Sequence, residues 1–259
     1  MSTIQLTIDD GIAELTLARP EVLNSLNDAM VADMHAALDS VESAGARALI
    51  IRGDGRGFSA GRDLSGASPL TEDAHAILSG VFNPLIARIR NLDVPTIAAV
   101  HGACLGVGFG IAMAADIIVA ARKSTIGSPF ANIGCVLDSG GHLALVHRIG
   151  AHRALEMIYL AQLIDGARAA EIGLINRVVD DDELLSTVRD MASKIAHGPT
   201  GALLHSKHIV RTIIDEGSDL ASVLEAEARA QGAVAGTPDY VEGITAFLEK
   251  RAPTFTGEH

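Results

Sequence analysis

Five groups of residues in this 259-residue chain have the types and spacing that chemistry requires. Asp138 lies in Gly134-Cys135-Val136-Leu137-Asp138-Ser139-Gly140-Gly141, a short turn between apolar residues ahead of a helical run from His142 to Ile149. A carboxylate there has two uses. Asp138 or Ser139 could cap the helix by accepting a backbone N–H. Asp138 could instead move a proton, because apolar surroundings raise a carboxyl pKa toward useful basicity. Gly57-Phe58-Ser59-Ala60-Gly61 satisfies the Gly-x-Ser-x-Gly pattern of a hydrolase nucleophile elbow. Asp138 and then His142, His147 or His152 complete the order Ser, Asp, His. That elbow needs a sharp strand-to-helix turn, whereas Ser59 falls several residues beyond a strand, so a glycine-rich turn is the simpler reading.

Leu105-Gly106-Val107-Gly108-Phe109-Gly110 joins a strand to a helix. It reads Gly-x-Gly-x-Gly, without the spacing or the later acidic strand end of a dinucleotide site. Its glycines either pack helix on strand or admit a ligand to the amides at a helix start, which suits an anion or a developing oxyanion. His205 and His208 stand three apart on a helix with no acid to complete a ligand set, which indicates a solvated face rather than a metal site. Lys250-Arg251 ends the last helix, where cations are favoured in any protein, and a phosphate role would need a partner site.

The elements that position these groups follow from periodicity. Ile4 to Ile8 and Ile12 to Leu17 alternate around Asp9-Asp10-Gly11 and predict a hairpin. Ser25-Leu26-Asn27-Asp28 opens an amphipathic helix to about Glu42, with Met30, Met34, Ala37, Leu38 and Val41 on one face. Ala48 to Ile51, Thr96 to Val100, Ile117 to Ala120 and Thr125 to Gly127 read as strands. A looser helix is expected from Pro69 to about Asn91, after the small-residue loop Ser65-Gly66-Ala67-Ser68. Another helix is expected from the glycine-rich turn to Ala115. This alternation predicts an α/β core. Beyond residue 150 the pattern is mostly helical, over 152–161, 168–172, 182–197, 200–213, 218–235 and 238–249, with one strand near Val178-Val179. The C-terminal quarter carries more apolar surface than a helix pair needs, which suits packing on another subunit or on the chain's own core.

The bulk properties narrow the classes. Hydrophobic residues make up 48%, but no apolar run is long enough to span a bilayer. Aromatics are 3% with no Trp, and the formal charge is −12, which argues against nucleic acid as a partner. Cys104 and Cys135 sit in apolar, Gly-rich surroundings and read as small buried thiols of a reducing compartment. Residues 1–20 lack a basic segment followed by an apolar one, so the cytoplasm is the expected location.

Taken together, the motifs resemble the crotonase (enoyl-CoA hydratase/isomerase) superfamily. Phe58-Ser59-Ala60-Gly61-Arg62-Asp63-Leu64 is similar to its Phe-x-Ala-Gly-x-Asp-Leu signature, and His101 to Gly108 to its second. Arg19-Pro20-Glu21-Val22-Leu23-Asn24-Ser25-Leu26 resembles its N-terminal segment, and Tyr240 to Arg251 its ending. The motifs run in order along essentially the whole chain.

The resemblance implies a spiral of ββα units in two roughly perpendicular sheets over residues 1–197. A C-terminal helical trimerisation region over 198–259 would follow, in trimers or dimers of trimers. It implies an acyl-CoA substrate, with no permanently bound cofactor, no metal, and coenzyme A present only as part of the thioester. By motif position the thioester oxygen would lie between the backbone amides of Arg62 and Val107. The Val22-Leu23 backbone, Ala60, Gly61, Asp63, Leu64 and Gly106 would border coenzyme A. Lys250, contributed by a neighbouring subunit, would meet its phosphates. The positions matching the two hydratase glutamates are Gly110 and Phe130, neither of which transfers protons. Asp138 instead matches the acid of several family isomerases and the nucleophile of the family's dehalogenases. Within the family the similarity is greatest to the epoxyphenylacetyl-CoA isomerase type of phenylacetate breakdown, through Asp-x-Gly-Gly and a Phe-Thr-Gly ending. Leu137 replaces that type's proline. The expectation is an isomerase acting through Asp138, with a hydratase as the alternative. Outside that chemistry stand a serine hydrolase built on Ser59 and a non-catalytic acyl-CoA binder.

Overall fold

The computed structural model describes residues 2–68 and 70–258. Strands β1 (Ile4–Asp9) and β2 (Ile12–Leu17) pair antiparallel, and Asp10 and Gly11 both take positive φ, as a tight hairpin turn requires. Helix α1 (Asp28–Ser43) starts where Asn27 Oδ1 accepts the Met30 amide at 2.9 Å, and its five expected core residues are all buried. Strand β3 (Ala48–Gly53) joins β2 in parallel. Helix α2 (Ala74–Ile77), a π turn (Leu78–Phe82) and helix α3 (Asn83–Arg90) then lead to β4 (Thr96–Val100), which joins β3. A short β5 (Ala103–Leu105) precedes helix α4 (Val107–Ala114). Next come β6 (Ile117–Ala121), β7 (Thr125–Gly127) and a 3₁₀ turn (Phe130–Ile133).

The second half contains α5 (Gly141–Ile149), α6 (Ala151–Tyr159), β8 (Ile164–Asp165), α7 (Gly166–Glu171), β9 (Arg177–Val179) and α8 (Leu184–Ala196). Three long helices close the chain: α9 (Thr200–Glu216), α10 (Leu220–Val234) and α11 (Pro238–Glu249). The main sheet runs β1-β2-β3-β4-β6-β9, and β5-β7-β8 form a second sheet. Every residue of β4 is buried, because α1, α3 and α4 pack with one face and α8 covers the other through Leu184, Val188, Ala192 and Ala196. Among the described residues no helix is long and apolar enough to cross a membrane.

Several expectations need correction. The helix expected from Pro69 begins at Ala74, where Asp73 caps the Ala76 amide; Pro69 itself lies outside the described residues. Leu70 is 98% exposed, so no packing draws this segment into a helix. The π turn precedes Pro84, which has no N–H to donate to Gly80 and whose ring crowds that carbonyl, so the ladder widens there. Strand β5 was hidden in what reads as a glycine-rich turn; three residues carry no usable period. Cys104 is fully buried, and burial pushes its thiol pKa up. Cys135 is exposed, because it follows the 3₁₀ turn between Ile133 and Val136, which are themselves 62% and 78% exposed.

Asn24 ties the first turn to the sheet. It is fully buried with φ +54; its Oδ1 accepts the Arg19 amide at 2.9 Å, and its Nδ2 donates to Asp54 O and Gly57 O, each at 2.8 Å. Asn24→Ala removes all three bonds and orphans their partners. The expected cost is about 3 kcal/mol, read as a Tm fall of roughly 6–12 °C.

Candidate active site

The site is assembled from two glycine turns pressed together. Gly61 (φ +98) carries no side chain, and a Cβ there would lie 2.9 Å from Leu105 O. Gly106 (φ +54, ψ −123) holds a conformation that side chains rarely adopt; a Cβ there would sit 3.2 Å from the Phe130 ring and 3.7 Å from Gly61 Cα. Short strand-like contacts lock the turns in register. Ser59 N donates to Ala103 O at 2.8 Å and Leu105 N to Ser59 O at 2.9 Å. Leu26 N donates to Gly61 O at 2.7 Å and Asp63 N to Leu26 O at 2.8 Å.

Alternate amides of an extended segment point opposite ways, so Arg62, between two residues bonded to Leu26, turns its N–H away from Leu26. Val107 is the first residue of α4, whose opening amides have no partner within the helix. Among the described residues neither the Arg62 nor the Val107 amide has an acceptor in the chain. Two free donors on adjoining turns form a cradle for a developing negative oxygen.

Asp138 enters on a third turn. Ser139 (φ +53) and Gly140 (φ +77) are left-handed, Gly141 N donates to Asp138 O at 2.9 Å, and Leu137 anchors the turn by folding over Gly141. The Ser139 hydroxyl donates to Asp138 Oδ1 at 2.7 Å, and among the described residues Oδ2 has no partner. Gly140 occupies the cap position of α5 and no side chain caps that helix, so neither Asp138 nor Ser139 is the cap. Asp138 is half-buried, and burial pushes its pKa above the ordinary value against the opposing pull of the Ser139 hydroxyl and the Arg62 charge. The Arg62 guanidinium is paired with both carboxylate oxygens of Glu72.

The remaining expected site residues divide. Leu23 O accepts the Ala60 amide at 2.8 Å, which places the Pro20–Val22 3₁₀ turn beside Ala60, Gly61 and Arg62. Asp63 accepts the Ser65 amide at 3.0 Å and pairs with Arg19 at 3.0 Å, and these contacts hold its carboxyl below the ordinary value. Val22 and Leu64 are 38% and 57% exposed beside this cleft. Lys250 is not brought there within one chain: it ends α11, which packs on the chain's own tail through Asp239–Thr256 and Gly243–Phe255. Ser59 is fully buried; its hydroxyl donates to Asn24 O at 2.9 Å and accepts the Gly61 amide at 3.2 Å, so it braces the turn and is no nucleophile. Glu72 and the Ser139 contact escape a reading by motif; a hydroxyl directly after the acid is the one sequence signal for the latter. Among the described residues no group of three His, Cys, Asp or Glu converges as a metal site would.

The two positions matching hydratase glutamates are filled in other ways. A Cβ on Gly110 would lie 2.5 Å from Ser139 Cβ and 2.6 Å from Ser139 O, so the Asp138 turn occupies that space. Phe130 turns its ring toward Gly106. Gly110→Glu is therefore expected to displace the Asp138 turn, lower stability by about 1–3 kcal/mol and create no hydration activity. Thermal melts and a crotonyl-CoA absorbance assay check both outcomes.

The sequence matches the Enoyl-CoA hydratase/isomerase family over residues 7–258. It is 37% identical to a probable enoyl-CoA hydratase of Rhodobacter capsulatus over 98% of both chains. It is 36% identical to the 1,2-epoxyphenylacetyl-CoA isomerase of Escherichia coli over the full length of both. The fold superposes on an enoyl-CoA hydratase subunit of Geobacillus kaustophilus with TM-score 0.91 and 32% identity over 98% of each chain. On the enoyl-CoA hydratase of Bacillus anthracis the TM-score is 0.92 at 29% identity, over 99% of this chain and 100% of that one. The glycine turns, the α/β core with its helical C-terminal part and these full-length similarities agree: the chain belongs to the enoyl-CoA hydratase/isomerase, or crotonase, family, whose enzymes act on CoA thioesters.

Proposed function

We propose that the protein is an acyl-CoA isomerase that shifts a double bond in an enoyl-CoA, or rearranges a ring-type acyl-CoA. The observation that carries this reading is the Gly110–Ser139 contact: where a hydratase glutamate would stand, the chain has packed the turn that presents Asp138. The thioester oxygen accepts from the Arg62 and Val107 amides, each such donor contributing about 3 kcal/mol to the transition state. Asp138 Oδ2 removes a proton from the acyl chain to give the enolate, then returns it at another carbon. Val22, Leu23, Ala60, Gly61, Asp63, Leu64 and Gly106 border the coenzyme A moiety, and Lys250 of a neighbouring copy meets its phosphates.

Residues 198–259 serve oligomerisation, as a trimer or dimer of trimers, supported by exposed Leu220, Leu224, Val241, Ile244, Phe247 and Leu248. The setting is the cytoplasm. Enoyl-CoA hydration is the second reading; the Rhodobacter capsulatus relative's name favours it.

Asp138→Asn is expected to lower isomerisation of 3-enoyl-CoA by roughly 10²–10⁴-fold with little change in binding. Product analysis by chromatography checks this, and full activity in the variant sinks the mechanism. A raised native pKa means that the folded state binds the proton more tightly, so ionised Asp138 lowers stability as pH rises through that window. The variant should thus melt no lower than the wild type at pH 7, whereas loss of a helix cap would cost about 1 kcal/mol. Arg62→Met keeps the backbone donor and removes the charge that holds the Asp138 pKa down. Since the base must be ionised, the acid limb of the rate profile should move to higher pH.

A further inference from the structure

Behind the Asp138 turn lies a cavity of about 670 Å³, with Gly110, Ser139 and Gly140 in one wall. Its body is apolar, formed by Ile86, Met113, Leu143, Leu203, Val210 and Ile214 from α3, α4, α5 and α9. Its lining is not apolar throughout. Arg90, Arg148, Lys207 and Arg211 also line it, and Asp116 is the one acid among the described lining residues.

The partners of these cations leave positive charge uncompensated. Asp116 is shared by Lys207 at 2.6 Å and Arg211 at 3.4 Å, and also accepts the Thr96 amide and hydroxyl. Arg90 is neutralised by both oxygens of Asp215 at 2.8 Å. Nearby Asp93 pairs with His208 at 2.8 Å. Arg148 is half-buried on α5, and among the described residues its one acceptor is Leu174 O at 3.4 Å. A guanidinium has five donors, so most of this fork is unused. Burial lowers the Arg148 pKa and brings that of Lys207 to about 8, although Asp116 pulls the latter upward.

We propose that this cavity receives the distal end of the substrate's acyl chain, and that the chain ends in a carboxylate bound by Arg148. The inference rests on the acyl-CoA reading of the site. An apolar body one residue from the reacting carboxylate suits a methylene chain, and an under-satisfied guanidinium in its wall suits a planar anion. A chain ending in methyl would desolvate these cations without pairing them.

The test compares octanoyl-CoA with suberyl-CoA, its counterpart of equal length carrying a terminal carboxylate. Both are saturated, so binding is read by calorimetry without any proton transfer, and free coenzyme A serves as reference. Wild-type protein is expected to bind suberyl-CoA at least about tenfold more tightly than octanoyl-CoA, the scale of one charge-assisted hydrogen bond. Arg148→Met, which keeps the apolar stem, should abolish that preference while octanoyl-CoA affinity stays level or improves. Equal affinities in the wild type, or a preference that survives Arg148→Met, overturn the inference and leave the acyl-CoA reading standing. The wild-type comparison needs no variant to fold. Equal affinities are also the outcome if a second copy of the chain fills the cavity. Absence of binding by both esters and by coenzyme A overturns the inference and the acyl-CoA reading together.

Discussion

The site depends on close approach between backbones. Gly61 and Gly106 bring two turns within van der Waals distance, and only residues without Cβ atoms permit the contact. The same constraint recurs along α4. A Cβ on Gly108 would meet Ser59 Cβ at 2.6 Å, and one on Gly110 would meet Ser139. Glycines at alternate positions from 106 to 110 thus let the Gly61-Arg62 turn, the Ser59 turn and the Asp138 turn settle on one helix end. A side chain at any of them would push a turn away by more than a hydrogen bond tolerates. The distances between these turns are set by missing atoms as much as by present ones.

That arrangement also explains how one fold can serve different proton chemistry. The amide cradle belongs to the backbone, and its geometry survives replacement of side chains around it. The acid does not have to project from α4. In the mechanism proposed for this chain it comes from the turn before α5, where a seryl hydroxyl holds one Asp138 oxygen and a partly buried setting raises its pKa. Moving the carboxylate from helix to turn changes the face of the acyl chain that it can reach, while the thioester stays where it is.

Much of this was legible before any coordinates. The Asp10-Gly11 hairpin, the Asn27 cap and the buried face of α1 follow from local rules, because each is decided within a few residues. The family motifs pointed to Arg62, Val107 and Asp138 as the site residues. Other features depend on contacts distant in sequence. Strand β5 exists because β7 and Ser59 pair with Cys104. Asp138 looked like a possible cap, and only the geometry of Gly140 removes that reading. Cys135 has apolar neighbours in sequence yet lies in the open, since periodicity cannot distinguish an apolar turn facing solvent from one facing the core. The pairing of Arg62 with Glu72 spans a loop without regular structure and left no pattern to find.

Helix α4 has one more property. All eight of its residues are buried, and none carries a charge or a polar side chain. The partial positive charge at its first amide therefore faces the site through low-dielectric surroundings, where dissolved ions do not penetrate. A neighbouring copy's lysine on coenzyme A phosphates would act in open solvent, within reach of counterions. Under the proposed mechanism, rising ionic strength would then weaken the hold on the carrier while sparing the stabilisation of the enolate, so the enzyme would keep its turnover number and lose apparent affinity as salt increases.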